Sequence, residues 1–408
     1  MFLTALLVLT LVQAPTPGRV DPDFEAILLD GSVVRGRLTQ LRLEPGGSGS
    51  LTLARDSEVA IPWNRLLRLE RLGPLAPSSL VEETLLFPNG DRLLATIRRG
   101  DADSIEAIPG LAPDVPVTIP TSRLLGLMLS RPSTDRERRA IESALAAPNR
   151  DGESIWLTNG DQRAGSLTRL ERDRLEVEVE GRETGFDRGT VAAIGFDPAL
   201  LDPEPPPMPF LEIHLADGSR LGLIEASLEA GQVRVRTRAG LELRLPSASL
   251  FEAYPRGGSV VYLDEREPAA LDFIPYLDRH PGLLGINTTW DGFPLSVRGR
   301  RYRHGLGMLP RTLVVYRIEP GDRRFQALLA LDDRAGDQAS VAFRVLLDRR
   351  EIYASPRLTR LDDPVPIDLD LTGGRLLVLI AEFGDRGDVQ DYADWLEARL
   401  IRQAPQVP

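Results

Sequence analysis

Residues 27–41 read ILLDGSVVRGRLTQL, which is an apolar strand, an Asp-Gly pair and a second strand with alternating polarity. Asp-Gly and Asn-Gly are the strongest short-range hairpin signals, because both turn residues need positive φ. The same plan recurs in LLFPNGDRLLATIRR (85–99), IWLTNGDQRAGSLTRL (155–170) and IHLADGSRLGLIEASL (213–228). The sequence therefore predicts four related hairpins, with turn glycines at Gly31, Gly90, Gly160 and Gly218.

Each hairpin is followed by a second segment of similar plan. Three of these segments end with Ile-Pro or Leu-Pro, a few polar residues and a short apolar strand, as in VTIPTSRLLGLMLS (117–130). About five short strands in roughly 50 residues suit a small SH3-like or Sm-like β-barrel. We expect four such repeats. Without a catalytic motif of their own, they are expected to act as a spacer or protein-contact array. The expected repeats span residues 24–72, 82–131, 153–198 and 210–255.

Two connecting segments have a different composition from the repeats. Residues 133–148, STDRERRAIESALAAP, predict a short charged helix that Pro148 ends. Residues 200–209 are rich in proline and predict a stiff, extended linker.

Composition excludes several classes of function. The net charge of −11 argues against a nucleic-acid partner, which would require a basic face. All 49 basic residues are arginine, which indicates either anion recognition or a bias in the coding sequence. Cysteine is absent and there are only three scattered histidines, so thiolate chemistry and a histidine-based metalloenzyme are not expected.

The N-terminus predicts export. Residues 2–12 are apolar but too few to span a bilayer, which needs about 20 residues. The pattern is typical of a signal peptide covering residues 1–14. We therefore expect a secreted protein, or one of the periplasm or cell envelope, without a stable membrane span.

The last 150 residues contain longer strands without a long helix between them. SVAFRVLLD (340–348) and VPIDLDL (365–371) alternate as half-buried strands do. A two-sheet β-sandwich is the simplest fold for this region. The predicted fold class for the chain is thus all-β, with the sandwich following the array of small barrels.

This C-terminal region, about residues 258–402, resembles the NPCBM/NEW2 family, which is associated with glycoside hydrolase family 98. The resemblance is carried by GFPLSVRGRRYRHGLGMLP (292–310), SVAFRVLLDRREIYAS (340–355) and LLVLIAEFGDRGDVQDYADWLEARL (376–400). It implies a galactose-binding-like jelly roll that binds carbohydrate, and in some relatives a structural calcium ion.

The chain departs from the family pattern at three places. Gly307-Met308-Leu309-Pro310 stands where relatives carry a Gly-Thr-His-Ala-like run, Asp391-Tyr392 replaces Asp-His, and Asp348-Arg349-Arg350 replaces Asp-Gly-Lys. A lost histidine removes a hydrogen-bond donor and acceptor that a sugar hydroxyl could use. The departures leave the fold prediction intact and weaken the prediction of the usual sugar pocket.

Two groups of candidate site residues follow. For carbohydrate contact we expect Trp290 and Tyr392, and a basic hairpin of Arg301, Tyr302, Arg303 and His304 that could also bind an anionic glycan. For calcium, which prefers six to eight oxygen ligands, the candidates are Asp332, Asp333 and Asp391; turn capping is their alternative role.

The expected function is non-catalytic binding of glycan, since the sequence has no GxSxG elbow, P-loop or dinucleotide fingerprint. The alternative is an envelope scaffold that binds proteins, with a sandwich that has lost its sugar pocket.

Overall fold

The computed structural model describes residues 22–74, 83–113, 115–130, 135–147, 150–202, 209–274, 284–385 and 390–402. The expected signal peptide and residues 203–208 of the proline-rich linker lie outside these residues. Most of the described residues are in strands, and the α-helix assigned among them, α1 (Asp135–Leu145), lies within the predicted helical segment. The predicted all-β fold class is confirmed. No helix of the described residues is long and apolar enough to cross a membrane.

The first two repeats contain five strands each. Repeat 1 consists of β1 (Asp23–Leu28), β2 (Val33–Leu43), β3 (Gly49–Ala54), β4 (Glu58–Pro62) and β5 (Leu66–Arg71). Repeat 2 consists of β6 (Thr84–Leu86), β7 (Arg92–Asp101), β8 (Ser104–Pro109), β9 (Val117–Pro120) and β10 (Gly126–Met128).

The other two repeats follow the same plan, although the second strand of repeat 3 is broken in two. Repeat 3 consists of β11 (Ser154–Leu157), β12 (Gln162–Ala164), β13 (Ser166–Leu170), β14 (Arg174–Val179), β15 (Arg182–Asp187) and β16 (Val191–Gly195). Repeat 4 consists of β17 (Phe210–Leu215), β18 (Arg220–Glu229), β19 (Gln232–Thr237), β20 (Glu242–Pro246) and β21 (Leu250–Arg256).

All four repeats share one strand order, in which the fifth strand pairs with the first and the others follow as 1-2-3-4. A single 3-10 turn precedes each fifth strand. The four turn glycines have φ between 82° and 95°, so the four predicted hairpins are confirmed. In each turn the residue before the glycine accepts a hydrogen bond through its side chain, as Asp30 does from the Ser32 backbone N–H. Whether the repeats belong to the SH3 or Sm type stays a prediction.

The repeats associate in two pairs with the same geometry: the outer two in sequence pair with each other, and so do the inner two. Repeats 1 and 4 pair through their fifth strands with Leu69 opposite Ala253, and repeats 2 and 3 pair with Leu127 opposite Ile194. All four residues lie four positions after the 3-10 turn, so both pairs have the same register. The second strands also pair, β2 with β18 and β7 with β13.

The outer face of each pair is covered by a different element. Helix α1 packs Ile141 and Leu145 against repeats 2 and 3, on an apolar surface that includes Met128 and Trp156. The corresponding face of repeats 1 and 4 is more polar and is covered by the C-terminal domain, as described below.

The C-terminal domain is a sandwich of two main sheets. Its strands are β22 (Val260–Tyr262), β23 (Ala270–Phe273), β24 (Gly285–Ile286), β25 (Ser296–Val297), β26 (Arg300–Arg301), β27 (Gly305–Met308), β28 (Thr312–Arg317), β29 (Asp322–Leu331), β30 (Ser340–Leu347), β31 (Arg350–Ala354), β32 (Leu358–Thr359), β33 (Val365–Asp370), β34 (Leu376–Phe383) and β35 (Ala393–Arg402).

One sheet of the sandwich has the order β24-β27-β35-β29-β33, with β22 also paired to β35. The other has the order β23-β28-β34-β30-β31, with β32 paired to β30. The space between the sheets is filled by large apolar side chains, among them Phe325, Phe343 and Trp395. The predicted sandwich is therefore confirmed, and loops at the ends of β29 and β35 remain available to form a site.

Candidate functional site

Three loops of the sandwich bring aromatic side chains and an arginine together. Trp290 lies in the turn before β25, and Tyr392 immediately precedes β35; their ring centroids are 5.7 Å apart at an interplanar angle of 39°. Phe293, in the same turn as Trp290, is 41% exposed. The Arg334 guanidinium carbon lies 3.6 Å from the centroid of the Phe293 ring and 5.8 Å from that of Tyr392. We name Trp290, Asp291, Phe293, Arg334 and Tyr392 the aromatic cluster.

Asp291 holds the polar groups of the aromatic cluster in place. One carboxylate oxygen accepts from the Tyr392 hydroxyl at 3.3 Å and pairs with the Arg334 guanidinium at 3.3 Å. The other oxygen accepts from the Thr289 hydroxyl at 2.5 Å. The Arg334 charge is thus balanced locally, and the guanidinium plane is retained against the aromatic rings.

The turn that carries Trp290 is closed by its own hydrogen bonds. The Thr289 backbone N–H donates to the Phe293 carbonyl, and the Gly292 N–H donates to the Thr289 carbonyl. Gly292 has φ of 87°, a conformation that favours glycine. The rings are therefore presented from a tight turn.

Two of the three candidate calcium ligands accept hydrogen bonds from backbone N–H groups. The Asp332 carboxylate accepts from Ser296 and Arg334, and the Asp333 carboxylate from Arg298 and Gly299. Burial raises the pKa of Asp332 despite these bonds. For Asp333, burial also opposes the charge, but the Ser296 hydroxyl and the N–H donors outweigh it and the pKa is lowered.

The third candidate, Asp391, also holds a loop, since its carboxylate accepts from the Ser340 N–H at 2.9 Å. Asp394, which sequence reasoning left out, is 1% exposed and lies next to Asp332. Burial, together with the Asp332 charge, raises the pKa of Asp394 well above its ordinary value. Protonation of Asp394 would remove the repulsion between the two carboxylates and leave one negative charge on the pair.

The hydrogen bonds of these aspartates are those of turn capping. Within the described ranges, no group of three or more His, Asp and Glu side chains is arranged to hold a metal ion. The oxygens of Asp332 and Asp333 are engaged by the loops. The predicted calcium at Asp332, Asp333 and Asp391 therefore receives no support from this geometry and stays a prediction.

The basic hairpin of the C-terminal domain faces the repeats. Arg303 pairs with Glu252 of repeat 4 and lies over Phe251, while Arg300 pairs with Glu70 of repeat 1 at 3.3 Å. Tyr302 is buried among apolar side chains of the sandwich, and Arg301 is exposed. We name this surface, formed by residues 300–304 against repeats 1 and 4, the docking face.

His304 is buried at the centre of the docking face, at 4% exposure. Its ring stacks on Tyr262 at 4.2 Å and meets the edge of Tyr254 at 4.9 Å. Its Nδ1 lies 3.0 Å from an Asp264 carboxylate oxygen, and the Arg256 guanidinium lies 3.2 Å from both ring nitrogens. A sugar contact by Arg303 or His304 stays a prediction, but both side chains already have partners within the chain.

The same face contains a second set of buried charges. Arg68 of repeat 1 pairs with Glu70 at 3.2 Å and approaches Glu397 of β35 at 3.9 Å. In repeat 4, His214 Nε2 lies 2.8 Å from a Glu212 carboxylate oxygen. Removal of one partner from such a buried pair is destabilising, because the other charge is left buried and unpaired.

The comparisons with known proteins concern this C-terminal region. The family model described as NPCBM/NEW2 domain matches residues 271–401. Residues 271–401 form an NPCBM/NEW2 domain. The match lies within the region 258–402 that the sequence analysis assigned to this family.

One curated relative is 26% identical to the chain over 124 residues. It is a Renibacterium salmoninarum protein with the name "Putative endo-alpha-N-acetylgalactosaminidase". The alignment covers 30% of this chain but only 8% of the relative's length. Most of that enzyme therefore has no counterpart in the alignment.

Solved structures with similarity include carbohydrate-binding modules. A CBM51 module of Clostridium perfringens GH95, in complex with methyl-galactose, is 23% identical and covers 35% of this chain and 99% of that one, with a TM-score of 0.31. Tandem CBM51 modules of a family 98 glycoside hydrolase from Streptococcus pneumoniae are 11% identical and cover 93% and 88%, also with a TM-score of 0.31.

The NPCBM/NEW2 domain contains the entire aromatic cluster. Sequence reasoning identified Trp290 and Tyr392 but missed Asp291, Phe293 and Arg334. The run Trp290-Asp291-Gly292-Phe293 gave a signal for two of them, because an Asp-Gly turn between two aromatic residues tends to expose both. No local signal indicated Arg334, which is over 40 residues away in an arginine-rich chain.

Proposed function

We propose that the protein is a non-catalytic glycan-binding protein that works outside the cytoplasm, and that the aromatic cluster of the NPCBM/NEW2 domain is its sugar site. The observation that carries the proposal is the joining of Trp290 and Tyr392, two residues far apart in sequence, into one platform flanked by Arg334. The family supports carbohydrate binding in general, while export and the absence of catalysis are parts of the proposal.

The chemistry of the cluster suits a sugar ring. Aromatic faces accept the C–H-bearing face of a pyranose, and the Arg334 guanidinium and Tyr392 hydroxyl are at the edge of the platform for hydroxyl groups. Since Asp291 already orients both polar groups, little conformational entropy is lost when a sugar binds.

The charge around the cluster favours uncharged glycans. Asp291 belongs to the cluster and pairs with Arg334, and Asp332 and Asp333 directly precede that arginine in the chain. Carboxylated or sulfated sugars would meet these carboxylates, whereas Arg303, one of the arginines expected to attract them, is paired with Glu252 at the docking face. We therefore propose neutral sugars as the ligands, in place of the anionic class considered from the basic hairpin.

The test is a glycan array with the full chain, followed by titration calorimetry with the best neutral glycan. We expect Trp290→Ala and Arg334→Ala each to weaken binding about tenfold or more, equal to about 1.4 kcal/mol. Arg301→Ala is the matched control, because it removes an exposed arginine from the other candidate group. An array without any glycan signal, from a folded chain, would favour the scaffold alternative.

A further inference from the structure

The four hairpin turns occupy equivalent positions, yet the residue after the turn glycine is buried in two of them and exposed in the other two. Asp91 of repeat 2 and Ser219 of repeat 4, each directly after the turn glycine, are 5% and 0% exposed. The equivalent residues Ser32 of repeat 1 and Asp161 of repeat 3 are exposed. The difference arises because repeats 2 and 4 contact each other through their turns.

The contact between repeats 2 and 4 is reciprocal. The Gly222 N–H donates to Asp91 Oδ1 at 2.8 Å, and the Leu94 N–H donates to Ser219 Oγ at 3.0 Å. Gly222 and Leu94 are both the fourth residue after their turn glycine. The two turns are thus related by an approximate two-fold axis, and each supplies one acceptor and one backbone donor.

Two arginines complete this internal contact. Arg92 and Arg220, the second residues after their turn glycines, face each other across an antiparallel pair of strand ends. Arg92 Nε donates to the Gly218 carbonyl at 3.1 Å, and Arg220 donates to the Gly90 carbonyl. The contact therefore joins the open edges of β7 and β18.

Repeats 1 and 3 have the same open edges, and among the described residues no neighbour of this kind lies against them. Residues Val33–Arg35 of β2 pair with β1, and the pairing of β2 with β3 starts only at Arg37. Strand β12, Gln162–Ala164, is exposed, and in the part of the chain that the structure describes it pairs with β11 alone. Open edges of this kind are templates for another strand.

The residue after the turn glycine is a serine in repeats 1 and 4 and an aspartate in repeats 3 and 2, so repeats 1 and 3 offer the same two residue types as repeats 4 and 2. Ser32 matches Ser219, and Asp161 matches Asp91, so a contact between repeats 1 and 3 would again join a serine turn to an aspartate turn. Val33 and Gln162 take the places of the two arginines. The Gln162 amide can donate to a carbonyl as an arginine does, and Val33, 49% exposed, would be removed from water.

Repeats 1 and 3 lie at the two ends of the array. The contacts connect the repeats in the order 3-2-4-1, through the fifth strands, then the turns, then the fifth strands again. We propose that repeat 1 of one chain docks on repeat 3 of a second copy through their exposed turns, and that this contact repeats the internal one between repeats 4 and 2.

The consequence is head-to-tail assembly. The two surfaces are different, so each contact leaves one free surface on either chain, and the association continues until a ring closes or a filament forms. The contact is small and lacks the tether that assists repeats 2 and 4, so it is weak between separate chains. Such an assembly would array many NPCBM/NEW2 domains, but the inference does not depend on their binding sugar.

The test uses the absence of cysteine in the chain. Val33→Cys and Gln162→Cys are made in separate full-length chains, mixed at high concentration and oxidised. The equivalent pair, Arg92 and Arg220, is directly opposed, and opposed Cα atoms in antiparallel strands are about 4.5–5.5 Å apart, within the range of a disulfide. We expect cross-linked dimers in the mixture and not with either chain alone.

Two controls complete the experiment. A chain with both Arg92→Cys and Arg220→Cys should form an internal disulfide and shows that the geometry permits the bond. Val59→Cys, at an exposed position on β4, replaces Val33→Cys as the matched negative control. Cross-linking of the Val33→Cys chain with itself would overturn the head-to-tail contact. So would the absence of cross-linked dimers in the mixture under conditions in which the internal disulfide forms.

A second measurement needs no cross-link. Sedimentation of the unmodified chain over a wide concentration range should show an increasing weight-average mass, and Val33→Glu should abolish the increase. Val115→Glu, which changes an equally exposed valine in repeat 2, should leave it unchanged. A chain that stays monomeric at all concentrations would contradict the proposal.

Discussion

Arg303 of the C-terminal domain and Glu252 of repeat 4 form an ion pair across the docking face. Glu252 is buried, and Arg303 also covers the Phe251 ring next to it. The basic hairpin predicted from sequence as a sugar surface therefore connects the sandwich to the repeats. Of the residues expected to contact carbohydrate, Trp290 and Tyr392 of the aromatic cluster therefore remain without a described contact to the repeats.

Loss of this ion pair should weaken the attachment of the sandwich. We expect Arg303→Ala and Glu252→Ala, analysed as a double-mutant cycle, to give a coupling free energy of about 1–3 kcal/mol. The measurement is chemical unfolding, together with the rate of proteolysis in the segment 257–259 that joins the two parts. Arg301→Ala should behave as the parent chain, and a coupling near zero would show that the pair does not hold the parts together.

Much of the fold was accessible from the sequence because its signals are local. Positive φ at Gly31, Gly90, Gly160 and Gly218 follows from the Asp-Gly and Asn-Gly pairs. The strand alternation of residues 340–348 likewise follows from local polarity. Local patterns of this kind report which face a residue occupies within its own repeat.

The arrangement of the repeats was not accessible in the same way. Leu69, Leu127, Ile194 and Ala253 are all small or apolar strand residues, and nothing in their types specifies that repeat 1 pairs with repeat 4 rather than with repeat 2. The docking face shows the same limit, since arginines in an arginine-rich hairpin resemble solvent-exposed charges. Pairing over long sequence distance depends on shapes that single residues do not encode.

The role of Asp291 as a positioning residue gives a second prediction. Asp291→Ala removes the acceptor of the Tyr392 hydroxyl and the partner of Arg334. We expect glycan affinity to fall about threefold to thirtyfold, because both polar groups lose their fixed orientation before binding. Asp291→Asn keeps an acceptor for Tyr392 and should recover part of the affinity. An unchanged affinity for Asp291→Ala would place the sugar elsewhere.

Asp91 predicts a stability that depends on pH. Burial raises the pKa of Asp91 to about 7, although the Gly222 N–H and Asn89 favour the charged form. In the folded chain, Asp91 therefore keeps a proton that the unfolded chain releases at about pH 4. The resulting contribution to the free energy of unfolding is complete below pH 4 and is lost as the pH rises to 7. Between pH 5 and 8, we expect the Tm of the parent chain to fall more than that of Asp91→Asn, which does not titrate. Parallel Tm profiles for the two chains would contradict this.

His214 predicts the opposite dependence, at the docking face. Burial lowers the pKa of His214 to about 4, and the hydrogen bond with Glu212 only partly offsets this. The unfolded chain binds the proton near pH 6.5, whereas the folded chain does not until about pH 4, so stability falls as the pH decreases through this window. We expect His214→Gln, which keeps an N–H donor but does not titrate, to lose less stability between pH 7 and 4.5 than the parent chain.

The comparison of His214 with Asp91 provides the control for this last prediction. The two groups titrate in overlapping ranges with opposite sign, so His214→Gln and Asp91→Asn should change the slope of Tm against pH in opposite directions. A change of slope in the same direction for both variants would contradict the two local explanations. If only His214→Gln also changes proteolysis at 257–259 under acid conditions, protonation of His214 acts on the docking face rather than on the repeats as a whole.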